Sequence, residues 1–93
     1  MADRVRRQRV TPRTRDEIAD AVVAALGRRV AKHGDGAFVG PHEGLGVVTE
    51  EFHELVEACR SNDRRRVRDE AMDVAIGALW MVASIGELPE SGK

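Results

Sequence analysis

Apolar residues recur at intervals of three and four along most of the chain, in three stretches separated by turn-forming residues. The first stretch holds Ile18, Val22, Ala25, Leu26 and Val30, and the second Leu45, Val48, Phe52, Leu55, Val56 and Cys59. The third runs from Val67 to Ile85. This period is that of a helix with one buried stripe, and no segment alternates as a strand would. The spacing therefore predicts three helices. Thr14 can cap the first, with Asp16 and Glu17 favourable in its first turn, and His33-Gly34 closes it. Gly34, Gly36, Gly40 and Pro41 mark a loop. The second helix is expected from His42 or Glu43 to the break at Ser61-Asn62-Asp63. Asn62 or Asp63 can cap the third, which runs from about Arg64 to Ile85 or Gly86. The fold class is all-α: a three-helix chain whose second and third helices form an antiparallel hairpin. The expected domain covers 14–86, preceded by a flexible arginine-rich arm over 1–13 and followed by a disordered tail over 87–93.

A chain of 93 residues buries a low fraction of its surface. From Ala71 to Ile85 the apolar side chains surround the helix, so this segment needs a covering surface that one hairpin does not supply. A homodimer or homotetramer, completing a four-helix-type bundle, meets that need. Basic and acidic residues nearly balance, 15 against 16, which speaks against a polycation built for nucleic acid, although residues 1–15 hold six arginines. A lone cysteine, Cys59, permits no disulfide within the chain. No apolar segment follows Met1, and Asp73 interrupts the longest apolar run. The expectation is a cytoplasmic protein without a membrane partner.

The acids carry the chemistry. Glu50-Glu51 and Glu54 lie in the second predicted helix, Glu70 and Asp73 in the third. Residues three apart share a helix face, so Glu51/Glu54 and Glu70/Asp73 are two facing pairs. Asn62, in the predicted turn, lies midway between them. With a rise of about 1.5 Å per residue in both helices, an antiparallel hairpin sets the pairs level. They would then face each other across roughly 8–10 Å of interaxial distance. Glu51 borders the stripe of Val48, Phe52 and Leu55, and Glu70 borders Val67, Ala71 and Val74. Asp73 is the sole charge from Ala71 to Ile85. Carboxylates gathered on a half-apolar rim repel one another and need a cation, either arginine or a metal ion. All-oxygen ligands select a hard ion, Mg²⁺ first, with Mn²⁺ as a substitute. Loaded with such ions, the cluster would attract a triphosphate it otherwise repels.

The pattern Glu50-Glu51-x-x-Glu54, fifteen residues, then Glu70-x-x-Asp73 resembles the signature of the MazG-like all-α nucleoside triphosphate pyrophosphohydrolases. The resemblance covers about residues 42–85. The segment from Lys32-His33-Gly34-Asp35 to His42-Glu43-Gly44 is also similar to small MazG-like proteins of bacteria and phages. It implies that Glu51, Glu54, Glu70 and Asp73 are magnesium ligands and that Glu50 assists by orienting or activating water. The implied reaction is hydrolysis of a (deoxy)nucleoside triphosphate to the monophosphate and pyrophosphate by attack at the α-phosphorus, in an assembly of two or more chains. The alternative within the same resemblance is a helical binding or regulatory module with weak or no turnover.

Other constellations are weaker. Glu50-x-x-His53 is half of a di-iron motif, but its other half has Asp73 where histidine is required. His33, His42, His53 and Cys59 match no zinc-site spacing. Neither GxGxxG nor a P-loop is present. Arginines 60, 64, 65, 66 and 68 crowd the predicted turn, and Arg64 is the candidate to steer phosphate. Trp80 and Phe52 are expected to pack in a core or interface, and Cys59 to be inert packing on the stripe. With no tyrosine in the chain, Phe38 in the glycine-rich loop is the candidate to touch a base.

Overall fold

A computed structural model describes residues 6–87. It contains three helices, α1 (Pro12–His33), α2 (Pro41–Ser61) and α3 (Arg64–Glu87), and no strand among the described residues. The first five residues of the expected arm and the expected tail beyond residue 87 lie outside the described residues.

Helix α1 starts earlier than its apolar stripe suggests. Thr11, not Thr14, is the N-cap, and its hydroxyl accepts the Thr14 backbone N–H at 3.2 Å. Pro12 occupies the first helical turn, where its fixed φ suits the helix and its missing N–H has no intrahelical partner to lose. Pro12, within the expected arm, therefore begins the helix. Asp16 and Glu17 fall beyond the first turn, and Glu17 instead pairs with Arg13 at 3.4 Å on the surface. The helix ends as expected at Gly34, whose φ of 82° favours glycine and whose N–H bonds Val30 O at 2.8 Å.

Helix α2 begins at Pro41, one residue ahead of expectation. The Glu43 carboxylate reaches back to accept the Val39 N–H at 2.6 Å, which ties the incoming loop to the first turn. Asn62 ends α2 in the left-handed region at φ 59°, a conformation asparagine tolerates. Asp63 Oδ1 accepts the Arg66 N–H at 3.2 Å and so caps α3. Two residues thus separate α2 from α3.

The register of α2 on α3 follows from specific contacts. A Cβ on Gly44 would lie 2.5 Å from Met81 Cγ, and one on Gly77 would lie 3.2 Å from Val48 Cγ2. Further toward the link, Glu51 approaches Asp73 and Glu54 approaches Glu70. Glycine at 44 makes room for the Met81 side chain, and glycine at 77 for that of Val48. Helix α1 packs on α3 through its C-terminal half, while residues 11–20 are all exposed. The loop between α1 and α2 is pinned to one face of α3. Phe38 N–H bonds Ser84 Oγ at 2.9 Å, and Trp80 Nε1–H bonds Gly36 O at 3.0 Å.

The core is small: Ala25, Phe38, Ala58 and Ile76 are its buried hydrophobic residues. Cys59, expected on the packed stripe, is exposed, and its neighbour Ala58 takes the inward position with no exposed surface. Leu45, Phe52, Leu79, Val82 and Ile85 are exposed. No helix among the described residues is long and apolar enough to cross a membrane.

Candidate functional site

Glu51 of α2 and Glu70 and Asp73 of α3 each bring a carboxylate oxygen to a common point, all within 4.8 Å of one another. Glu70 and Asp73 share a face because they are three residues apart on one helix. Glu51 joins them because the α2–α3 register sets it level. The fourth expected member, Glu54, is exposed and lies outside this tightest group, but it borders Glu51 and Glu70 and its charge acts on all three acids.

Burial and mutual repulsion shape the electrostatics. Loss of solvent, then the charges of Asp73, Glu54 and Glu70, push the Glu51 carboxyl up to about 7. Glu70 is raised by desolvation and by Glu54 and Asp73, with Arg66 opposing. Asp73 is raised by desolvation, Glu54 and Asp69, while Lys32 and Arg28 oppose. Glu70 Oε1 is buried and has no hydrogen-bond partner among the described residues. A buried carboxylate oxygen without a donor is costly, and a cation is the partner that removes the cost. Three carboxylate oxygens at one point, from half-buried Glu51 and Glu70 and exposed Asp73, form a donor set suited to a hard divalent ion.

The cluster borders a cavity of about 550 Å³ shared by all three helices. Glu51 and Asp73, with Glu43 further along α2, form its acidic lining, and Val47, Met72, Ile76 and Gly77 are apolar lining. Arg28, Arg29, Lys32 and His33 of α1 form the opposite, basic wall. No acid of the cluster lies within 4.0 Å ion-pair distance of these bases among the described residues. The cavity thus holds two walls of opposite sign that act on each other through space.

Three expected site residues stand elsewhere. Glu50 is exposed and is not among the acids that converge. Arg64 lines a separate recess of about 270 Å³ with Cys59, Asn62 and Val67, at the α2–α3 link. Phe38 borders the main cavity but is only 6% exposed, so it is core rather than a ring standing free in the loop.

The basic wall was not anticipated from the sequence. Its one signal there is the pairing Arg28/Lys32 and Arg29/His33, each at the four-residue interval that places two side chains on one helix face. No family model, no curated protein and no solved structure matches this chain.

Proposed function

We propose that this chain is a Mg²⁺-dependent nucleoside triphosphate pyrophosphohydrolase of the MazG-like kind, with Mn²⁺ able to substitute. The observation that carries the reading is the meeting of carboxylate oxygens of Glu51, Glu70 and Asp73 within 4.8 Å of one another. In this reading α2 and α3 form an antiparallel hairpin. Its exposed Leu45, Phe52, Leu79 and Val82 pack against a second copy in a homodimer or homotetramer.

The residues divide the work by charge. Glu51, Glu70 and Asp73 hold the divalent ion, and Glu54 adds charge at the rim. When bound, the ion neutralises phosphoryl oxygens and activates water. The basic wall of α1 draws the polyphosphate into the cavity and faces it toward the acids. The apolar lining limits the water around the reacting centre. Glu50 stays outside the cluster, so Glu50→Gln should leave Mg²⁺ binding intact.

The test is pyrophosphate release from a panel of nucleoside triphosphates with Mg²⁺, for the wild type, Asp73→Asn and Glu51→Gln. Expected is turnover that each variant lowers by roughly a hundredfold or more, as loss of a metal ligand does. Turnover untouched by both substitutions would overturn the assignment. A second reading, a helical binding or regulatory module without turnover, draws on the burial of Phe38, which leaves no freely exposed ring in the cavity to stack a base. Mg²⁺ binding with no pyrophosphate release from any triphosphate decides for it.

A further inference from the structure

Arg29 is a cation held in place without an anion. Its Cζ lies 4.2 Å from the centre of the Trp80 ring and 5.4 Å from that of Phe38. Both rings are themselves fixed, Trp80 by its hydrogen bond to Gly36 O and Phe38 by its backbone bond to Ser84 Oγ. A guanidinium stacked on rings keeps its N–H donors in its own plane, pointing outward from the stack. Arg29 makes no ion pair and donates no hydrogen bond among the described residues.

Its neighbours on α1 are differently engaged. Arg28 and Lys32 hold the Asp73 pKa down, whereas the Arg29 pKa is itself lowered by burial. Arg28 and Lys32 thus balance the acidic wall, and Arg29 faces the same cavity with its fork unspent. A planar fork with paired donors matches the oxygens of a phosphate group.

We propose that Arg29 is the seat for the phosphates of the substrate that leave as pyrophosphate, gripped by its fork while the acidic wall holds the cation-bound part of the chain. This rests on the hydrolase reading above and names the residue that orients its substrate. Trp80 and Phe38 act as positioning residues that hold the guanidinium at the cavity.

Inorganic tripolyphosphate, which carries no base or sugar, isolates this contact. Its binding to the full chain in Mg²⁺ is measured by calorimetry for the wild type, Arg29→Met, Arg29→Lys and Arg65→Met, alongside binding of Mg²⁺ alone. Arg65 is exposed on α3 and outside the cavity, so its variant controls for loss of one positive charge. Expected is a loss of about tenfold or more in tripolyphosphate affinity for Arg29→Met. Arg29→Lys should lose less, and Arg65→Met should match the wild type. Mg²⁺ affinity should be the same in all four. Equal tripolyphosphate affinity in Arg29→Met and the wild type overturns the proposal, as does an equal loss in Arg65→Met. If Arg29→Met does not fold, Arg29→Lys decides: wild-type affinity there overturns it, and a loss supports it. Failure of the hydrolase reading is separate, because it shows as no pyrophosphate release from any nucleoside triphosphate in Mg²⁺, whatever the tripolyphosphate affinities.

Discussion

The two walls of the cavity are built in different ways. The acidic wall comes from α2 and α3, which two residues connect and whose register is fixed by close approach at Gly44 and Gly77. Glu51, Glu70 and Asp73 therefore meet as a consequence of helix geometry alone. The basic wall comes from α1, which rests on α3 through its C-terminal half and through a loop pinned at Trp80 and Ser84. Its first ten residues or so are exposed and contribute nothing to the cavity. Repulsion gathered by rigid elements on one side is met by attraction delivered from a more loosely attached one.

The largest expected effect breaks the acidic wall. Mg²⁺ at a hundred times its dissociation constant should stabilise the folded chain by about 2.7 kcal/mol, read as a rise in Tm. Asp73→Asn should abolish this response. Without Mg²⁺ the same variant should be at least as stable as the wild type, because it removes a repelling charge from the cluster. Destabilisation of the metal-free variant together with a preserved Mg²⁺ response would show that Asp73 serves packing and not cation binding.

How far the sequence reveals each wall follows from the same contrast. The apolar period marks all three helices, and the spacing of the pairs Glu51/Glu54 and Glu70/Asp73 about Asn62 anticipates the meeting of Glu51, Glu70 and Asp73, though not that Glu54 lies outside the tightest group. The start of α1 is misread because Pro12 looks like a terminator, when proline in a first turn opens a helix. The inward position goes to Ala58 and not Cys59, a rotation of one residue that periodicity does not resolve. Phe38 seems free in a glycine-rich segment, but its partner Ser84 is 46 residues away in the chain. Arg28, Arg29, Lys32 and His33 are missed for the same reason. Where α1 lands on α3 is decided by contacts of the 34–40 loop, and nothing local to α1 encodes them.

A smaller effect tests whether the fit of Met81 against Gly44 sets the register. At Gly44 a methyl would meet Met81 Cγ at 2.5 Å and Phe38 Cδ2 at 3.0 Å, so Met81 and the loop must shift. Gly46, two residues on, has nothing within 4 Å of the same position. Replacing a helical glycine with alanine gains roughly 0.8–1 kcal/mol in helix propensity at either site. Overpacking costs about 1–3 kcal/mol. Gly44→Ala should therefore destabilise by on the order of 1 kcal/mol in denaturant unfolding, and Gly46→Ala should stabilise. Two stabilising substitutions would mean that α2 and α3 are not in close contact at Gly44.

The smallest effect tests the opposition of the two walls through pH. The Glu51 carboxyl is raised from 4.5 to about 7, and Glu70 and Asp73 are raised as well. Between these values the folded chain retains a proton that the unfolded chain has released. It binds more protons than the unfolded state, so its stability falls as pH rises through this window. The stabilising contribution is complete below about pH 4.5 and gone above about pH 7. Glu51 is partly solvated, so after screening the loss is on the order of 1 kcal/mol, or roughly 4–8 °C in Tm. Glu51→Gln should flatten the slope. Arg28→Met with Lys32→Met should steepen it, because both bases hold the Asp73 pKa down and their loss widens the gap from the unfolded value. Mg²⁺ should reverse it, since a cation that binds ionised carboxylates stabilises the fold more as they deprotonate. A metal-free Tm that rises from pH 5 to pH 7.5, with no dependence on Arg28 and Lys32, would mean that the two walls do not sense each other's charge and that the acids are ordinary solvated helix residues.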